Sequence, residues 1–190
     1  LTVAGLIDSL GFDARKIAVE HNREIVHRSA FADTSIEDGD ALEIVHFIGG
    51  GSGASGACIV AKSINPKIKV IGVQSEQAPA VYLSWKEGEI VEAPMRSHAE
   101  GLATGSGYKT TLDILTEQLD DFVLVSDDEM DQAVILHLEN THNLTEHAGA
   151  ASLAGAIKIK DQLAGKKVVL IMSGGNLSMQ QLKELLEKPA

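Results

Sequence analysis

Residues 43–54 read Glu43-Ile44-Val45-His46-Phe47-Ile48-Gly49-Gly50-Gly51-Ser52-Gly53-Ala54. A β-rich run enters consecutive glycines, and a helical pattern leaves them. Successive free amides ahead of a helix N-terminus make a nest for an anion, because glycine lets the backbone approach a phosphate closely. The same run serves equally well as a joint between two folded units. It lacks the Gly-Lys-Ser/Thr ending of an ATP-binding P-loop, and no well-spaced acidic residue supports a dinucleotide fingerprint. The chain changes style across it.

Upstream, Val3, Leu6, Ile7 and Leu10 recur at helical spacing and stop at Gly11. Residues 17–20 and 24–27 flank the turn His21-Asn22-Arg23, which predicts a hairpin. Asp38-Gly39-Asp40 marks a second turn before a strand over 41–48. One helix among short strands gives a marginal core. Downstream, helices are predicted over 54–63, 78–86, 112–119, 127–139, 146–163 and 178–187, with strands over 70–74, 122–125 and 168–172. Ser126 and Glu129 form a capping box for the fourth of these helices. Such alternation predicts a parallel sheet covered on both faces. The fold class is therefore α/β in two parts, 1–48 and 49–190.

Apolar residues are 44% of the 190, enough for a sizeable core. Sixteen Lys+Arg against 27 Asp+Glu leave a net charge of −11, which argues against nucleic-acid and anionic-membrane partners. The single cysteine, Cys58, excludes an internal disulfide framework and a cysteine-based zinc site, and suits a reducing cytoplasm. No apolar run approaches the ~20 residues of a membrane span. The chain opens at Leu1 within a pattern, so the first unit is expected to be incomplete. The reading is a cytoplasmic protein.

A second glycine turn, Ser173-Gly174-Gly175-Asn176, follows the strand predicted over 168–172. Ligands gather at the carboxyl ends of parallel strands, and a hydroxyl and an amide there suit a heteroaromatic ring. A plain strand-to-helix turn capped by Asn176 or Ser178 is the alternative.

Residues 49–190 resemble the C-terminal part of the pyridoxal-phosphate-dependent threonine/serine dehydratases, fold-type II enzymes of the tryptophan-synthase-β-like group. Six blocks carry the resemblance: Gly49-Gly50-Gly51-Ser52-Gly53, Ile64-Asn65-Pro66, Val70-Ile71-Gly72-Val73-Gln74, His98-Ala99-Glu100-Gly101-Leu102-Ala103, Glu146-His147-Ala148-Gly149-Ala150-Ala151 and Ser173-Gly174-Gly175-Asn176. It implies that Gly49, Gly50, Gly51, Ser52 and Gly53 hold the cofactor phosphate and that Ser173 bonds the pyridine nitrogen. It also implies an amino-acid substrate, from which β-elimination of water and loss of ammonia give a 2-oxo acid. Some relatives bind a divalent cation near the segment matching 74–80. Gln74 and Ala80 lack the carboxylates for it, so no metal is expected there.

Residues 1–48 resemble the later part of a ThiS-type sulfur carrier of thiamine biosynthesis, a ubiquitin-like β-grasp fold. The matching stretches are Leu1-Thr2-Val3-Ala4, Asp38-Gly39-Asp40 and Glu43-Ile44-Val45-His46-Phe47-Ile48-Gly49-Gly50. The overall expectation is a truncated β-grasp segment followed by a partial parallel-sheet pyridoxal-phosphate domain. The dehydratases' Schiff-base lysine lies upstream of the glycine loop, so the resemblance supplies no catalytic residue here. A carrier, in turn, needs a terminal Gly-Gly carboxylate, and Gly50 is followed by further chain. Three readings stay open: a dehydratase-related fragment or fusion, a sulfur carrier or interaction module with a passive extension, and a non-catalytic piece that associates with itself or with a complete dehydratase.

The remaining candidates read as structural. His137, His142 and His147 are spaced by five, off one helical face, which disfavours a metal site. Cys58 among Ala57, Ile59, Val60 and Ala61 predicts a buried inert thiol. Asp127, Asp128, Glu129 and Asp131 cluster at a helix start, where the dipole favours them. Tyr82 and Trp85 read as packing residues, and Lys62, Lys86 and Lys109 as solvent-facing charges. His46 in mid-strand suits a half-exposed strand, so 43–48 is expected to pair within the first unit and to leave Gly49–Gly53 as a linker.

Overall fold

The computed structural model describes residues 1–11, 14, 17–46 and 50–188. The chain divides into two compact units, Leu1–Ile48 and Gly49–Ala190.

In the first unit, helix α1 (Val3–Ser9) starts where the Thr2 hydroxyl accepts the Gly5 amide at 3.2 Å. Strands β1 (Ile17–His21), β2 (Glu24–Val26) and β3 (Leu42–His46) form an antiparallel sheet in the order β2-β1-β3. Asn22 and Arg23 both take positive φ, 54° and 71°, the pair of left-handed residues a tight hairpin needs. Asn22 also fastens the neighbouring turn, accepting the Ala41 amide at 2.9 Å and donating to Asp40 at 2.8 Å. The Glu37 amide, Asn22 and His21 together hold the Asp40 carboxyl at about 2. Val3, Ile7, Ile17, Val19 and Phe31 make this unit's core.

β3 pairs with β1 in register from Leu42 to His46, as the half-exposed reading of that strand expects. Phe47, Ile48, Gly49 and the side chains of residues 43–46 lie outside the described residues.

The second unit begins with helix α2 (Ser52–Ile64), whose N-cap is Gly51 at φ 84°. Ser52 and Gly53 thus belong to a helical turn, which corrects the linker reading for those two residues. β4 (Ile71–Ser75) and β5 (Asp121–Val125) pair in parallel, Val73 opposite Val123. Between them come α3 (Ala80–Glu87), ended by Gly88 at φ 75°, and α4 (Lys109–Gln118). After β5 follow α5 (Asp127–Thr141), α6 (His147–Lys158), the single turn α7 (Lys160–Leu163) and α8 (Met179–Glu187). Reciprocal capping boxes open α5 at Ser126/Glu129 and α8 at Ser178/Gln181. Among the described residues, no helix is long and apolar enough to cross a membrane.

Strand alternation covers both faces of this short sheet. Val123 and Val125 join Met130, Val134, Ala150 and Ala154 from α5 and α6, while Phe122 faces Cys58, Val81 and Leu115 from α2, α3 and α4 and Leu119 just after α4. Helix α6 approaches closely because its inner face is small: a Cβ at Gly155 would meet Val73 Cγ2 at 2.7 Å. Gly56, on the exposed side of α2, is the opposite case, with nothing within 4 Å of a Cβ. Gly56→Ala is therefore expected to raise stability by about 0.5–1 kcal/mol, read as a higher denaturant midpoint.

The strand predicted over 168–172 is absent. Residues 167–178 carry no regular structure, and Val169 and Ile171 are 89% and 59% exposed. An apolar run becomes a strand only against a free sheet edge, and no described strand pairs with this one. Its backbone is held instead by the Ser152 hydroxyl on the Ile171 carbonyl at 2.9 Å and by the Glu146 amide on the Gly174 carbonyl at 3.2 Å.

Candidate functional site

The residues expected to hold a phosphate sit at the start of α2. Gly50 is buried, and its carbonyl accepts the Thr111 hydroxyl at 2.5 Å. Gly51 takes the left-handed conformation, and a Cβ there would also meet Leu115 Cδ1 at 2.8 Å. The first-turn amides of α2 lack intrahelical acceptors, no acidic residue stands in that turn, and the Cα of Gly53 faces open space. That combination fits a phosphate. Gly49 lies outside the described residues. Ser173 is exposed in the 167–178 segment, and no described bond or packing contact joins it to Gly50–Gly53.

Three other stretches do converge. Glu146 Oε1 packs over the Cα atoms of Gly101 and Gly174, and the Ser173 and Gly174 carbonyls press on Gly149. Residues 98–103, 146–151 and 173–176 therefore meet around a cleft of about 160 Å3, lined among others by His98, Glu146, His147, Asn176 and Gln181. A larger open depression of about 540 Å3 between α2 and the end of α4 is lined by the Lys62–Asp120 pair.

Beside the cleft, the first two turns of α5 supply two buried carboxylates with different tasks. Asp127 Oδ1 accepts the Ser75 and Ser97 hydroxyls at 2.8 and 2.7 Å; its Oδ2 accepts the His98 amide at 2.9 Å and lies 3.3 Å from His98 Nδ1. Burial works against ionisation here, but the bonds from Ser97, His98 and Ser75 outweigh it and hold the carboxyl below the ordinary carboxylate range. One turn later, Asp131 Oδ1 lies 2.9 Å from His98 Nε2 and 3.3 Å from His147 Nε2. Lys188 occupies the other oxygen, Oδ2, at 2.5 Å. The His98 and His147 rings stand edge to face, centroids 4.5 Å apart. Burial, then the neighbouring His98, push the His147 imidazole below its usual value against the pull of Asp131 and Asp127.

Sequence reasoning missed this cluster. It set His147 against His137 and His142, which the fold does not bring to it: His142 caps α5 at φ 56°, and the buried His137 ring finds no hydrogen-bond partner among the described residues. The acidic run was explained by the helix dipole alone. The signal lay in His98 and Ser97, which approach α5 only once the chain has folded.

Other expectations hold in detail. Cys58 is fully buried and burial raises its thiol. Trp85 and Tyr82 pack on Phe122, at 5.8 and 5.6 Å between centroids. Lys109 pairs with Asp113 at 2.9 Å on the surface, and Lys86 lies over the Tyr82 ring. Lys62 departs from the solvent-facing reading: it bonds Asp120 at 2.6 Å and the Ile68 carbonyl at 2.7 Å with a side chain only 20% exposed.

Comparison with known proteins gives a match that runs from within the first unit through most of the second. The sequence profile described as pyridoxal-phosphate dependent enzyme matches residues 22–174. An L-threonine ammonia-lyase of Thermotoga maritima is 33% identical over 156 residues, 80% of this chain and 38% of that protein. A serine racemase of Dictyostelium discoideum is 37% identical over the same length, 80% of this chain and 47% of that protein. Among solved structures, the processed form of threonine deaminase isoform 2 from Solanum lycopersicum superposes with a TM-score of 0.68 at 30% identity, over 73% of this chain and 41% of that one. The chain thus spans less than half the length of these relatives.

Proposed function

This chain belongs to the pyridoxal-phosphate dependent enzyme family, and from that premise we propose that residues 49–190 are a threonine/serine dehydratase-related portion that holds the cofactor by its phosphate. The observation that carries the reading is the start of α2: buried Gly50, left-handed Gly51, and a first turn whose amides lack intrahelical acceptors, with no acid and open space at Gly53. In this reading Gly49–Gly53 bind the phosphate and Ser173 orients the ring. When bound, the cofactor supplies an electron sink that acidifies the α-C–H of a hydroxy amino acid. The class of reaction is β-elimination of water followed by loss of ammonia. Lys62 and Lys109 are committed to Asp120 and Asp113, so neither is offered as the covalent anchor.

The test is binding of pyridoxal phosphate, followed through the fluorescence of the single tryptophan, Trp85. Gly53→Asp puts a carboxylate where a side chain has room and where the helix dipole tolerates it. Thermal stability is expected to stay unchanged while affinity for pyridoxal phosphate falls at least about tenfold, by like-charge repulsion at close range. Pyridoxal without its phosphate is expected to compete poorly, and borohydride to label no single lysine. Equal binding of the two compounds, or indifference to Gly53→Asp, would sink the reading.

A second reading concerns residues 1–48, which we propose as a sulfur-carrier-like interaction module. A three-stranded antiparallel sheet with helix α1 and its own core favours it. Mass spectrometry showing cleavage after Gly50 would support this reading, and a chain that is never processed there would count against it.

A further inference from the structure

We propose that His98, Asp131 and His147 bind one divalent transition-metal ion of the Zn2+ class, through His98 Nε2, His147 Nε2 and Asp131 Oδ1. The inference rests on these side chains alone and not on the cofactor reading above.

The three donor atoms come from three separate places: the segment before Ala99, the second turn of α5, and the first residue of α6. One ligand atom from each residue nevertheless lies within 4.8 Å of the others. Tetrahedral bonds of about 2.0–2.1 Å separate ligand atoms by about 3.3 Å. The two nitrogens already stand 2.9 and 3.3 Å from Asp131 Oδ1, so an ion needs only small side-chain adjustments.

The surroundings are those of a ligand set rather than of a chance contact. Asp131 and His147 are 5% and 6% exposed, so folding has already removed most of their water. Asp127 Oδ2 faces His98 Nδ1 at 3.3 Å and takes the His98 amide at 2.9 Å, which fixes the ring and turns Nε2 inward. A carboxylate behind a ligating histidine is the usual outer support of such a site. The cleft beside His98 and His147 leaves a fourth position open to water or a small anion. Two imidazoles and one carboxylate suit Zn2+, Co2+ or Ni2+, whereas Mg2+ and Ca2+ prefer all-oxygen shells.

Lys188 opposes the ion without blocking it. Its ammonium holds Asp131 Oδ2, the oxygen the metal does not use, on a side chain that is half exposed. This gives a variant that acts in the direction opposite to loss of a ligand.

The experiment uses the full chain freed of metal by a chelator. Co2+ is titrated while visible absorption is read, and Zn2+ is then used to displace it. One saturable ion per chain with tetrahedral-type bands is expected. Asp131→Asn and His147→Gln should each weaken binding more than about 100-fold, since a direct ligand matters more than the 10–100-fold typical of outer support. Asp127→Asn should weaken it about tenfold as a positioning change. Lys188→Met should strengthen it about tenfold by removing a nearby positive charge. No saturable Co2+ signal, affinity indifferent to Asp131→Asn and His147→Gln, or Lys188→Met leaving affinity equal or weaker would each overturn the proposal.

Discussion

Asp127→Ala is expected to destabilise the 49–190 unit by about 3 kcal/mol, while Asp128→Ala next to it changes stability by less than about 0.5 kcal/mol. Both are acids in the first turn of α5, so a dipole argument alone treats them alike. Their surroundings separate them. The Asp128 side chain is 84% exposed and, among the described residues, pairs with Lys188 at 3.3 Å. Asp127 is buried and is the shared acceptor for the Ser97 hydroxyl and the His98 amide, which together tie the 97–99 segment to α5. Removing it leaves those donors facing a methyl group, and an orphaned buried donor costs about 1–3 kcal/mol. Urea midpoints of the two variants at neutral pH make the comparison.

The same residue sets a pH dependence. Its folded-state carboxyl lies below the ordinary value, so its contribution is complete above the unfolded-state value of about 4 and is lost as pH falls below that. Asp127→Asn should therefore flatten the acid limb of the stability profile, lowering the neutral plateau more than the acid end. A parallel displacement of the whole profile would show that Asp127 does not titrate within this network.

What could be read from the sequence divides along one line. Features fixed by residues close in sequence were legible: the capping box at Ser126 and Glu129, the strands around Val73 and around Val123 as separate segments, and the hairpin at Asn22-Arg23. Each depends on local backbone chemistry or on a short hydrophobic period. Features fixed by a distant partner were not. Residues 168–172 have strand composition, but composition does not supply the neighbouring edge that a strand requires. His98 and Asp131 are 33 residues apart, and no spacing rule links them. Gly149 was visible only as part of a motif; the reason it must be glycine appears when the Ser173 carbonyl is found against it.

That contact makes Gly149→Ala the second large effect. On propensity alone, alanine for glycine inside a helix is stabilising, as expected for Gly56 in α2. At Gly149 the sign should reverse. A Cβ there overlaps the Ser173 carbonyl and crowds Thr145 Oγ1 and the Gly174 carbonyl. One side must move, and the packing decides which. Helix α6 is anchored by buried Ala150, Ala151 and Ala154 and by Gly155 against Val73, so shifting it would disturb the main core. Residues 171–175 are exposed and are held by the bonds to Ser152, Glu146 and Thr145. The exposed segment is therefore the part that yields. Gly149→Ala should cost about 1–3 kcal/mol, the usual range for overfilling a packed contact. It should also raise hydrogen exchange and proteolytic cutting within 171–177 while leaving α5 and α6 protected. Because Ser173 moves with that segment, any role it has beside a bound ring is lost in the same variant. The His98–Asp131–His147 set, with Asp131 and His147 on the protected α5 and α6, should keep its metal affinity within about threefold, a shift of less than 1 kcal/mol. If Gly149→Ala instead matches Gly56→Ala in stability and exchange, the close approach of the 171–175 backbone to α6 is wrong, and the convergence of residues 98–103, 146–151 and 173–176 on one cleft goes with it.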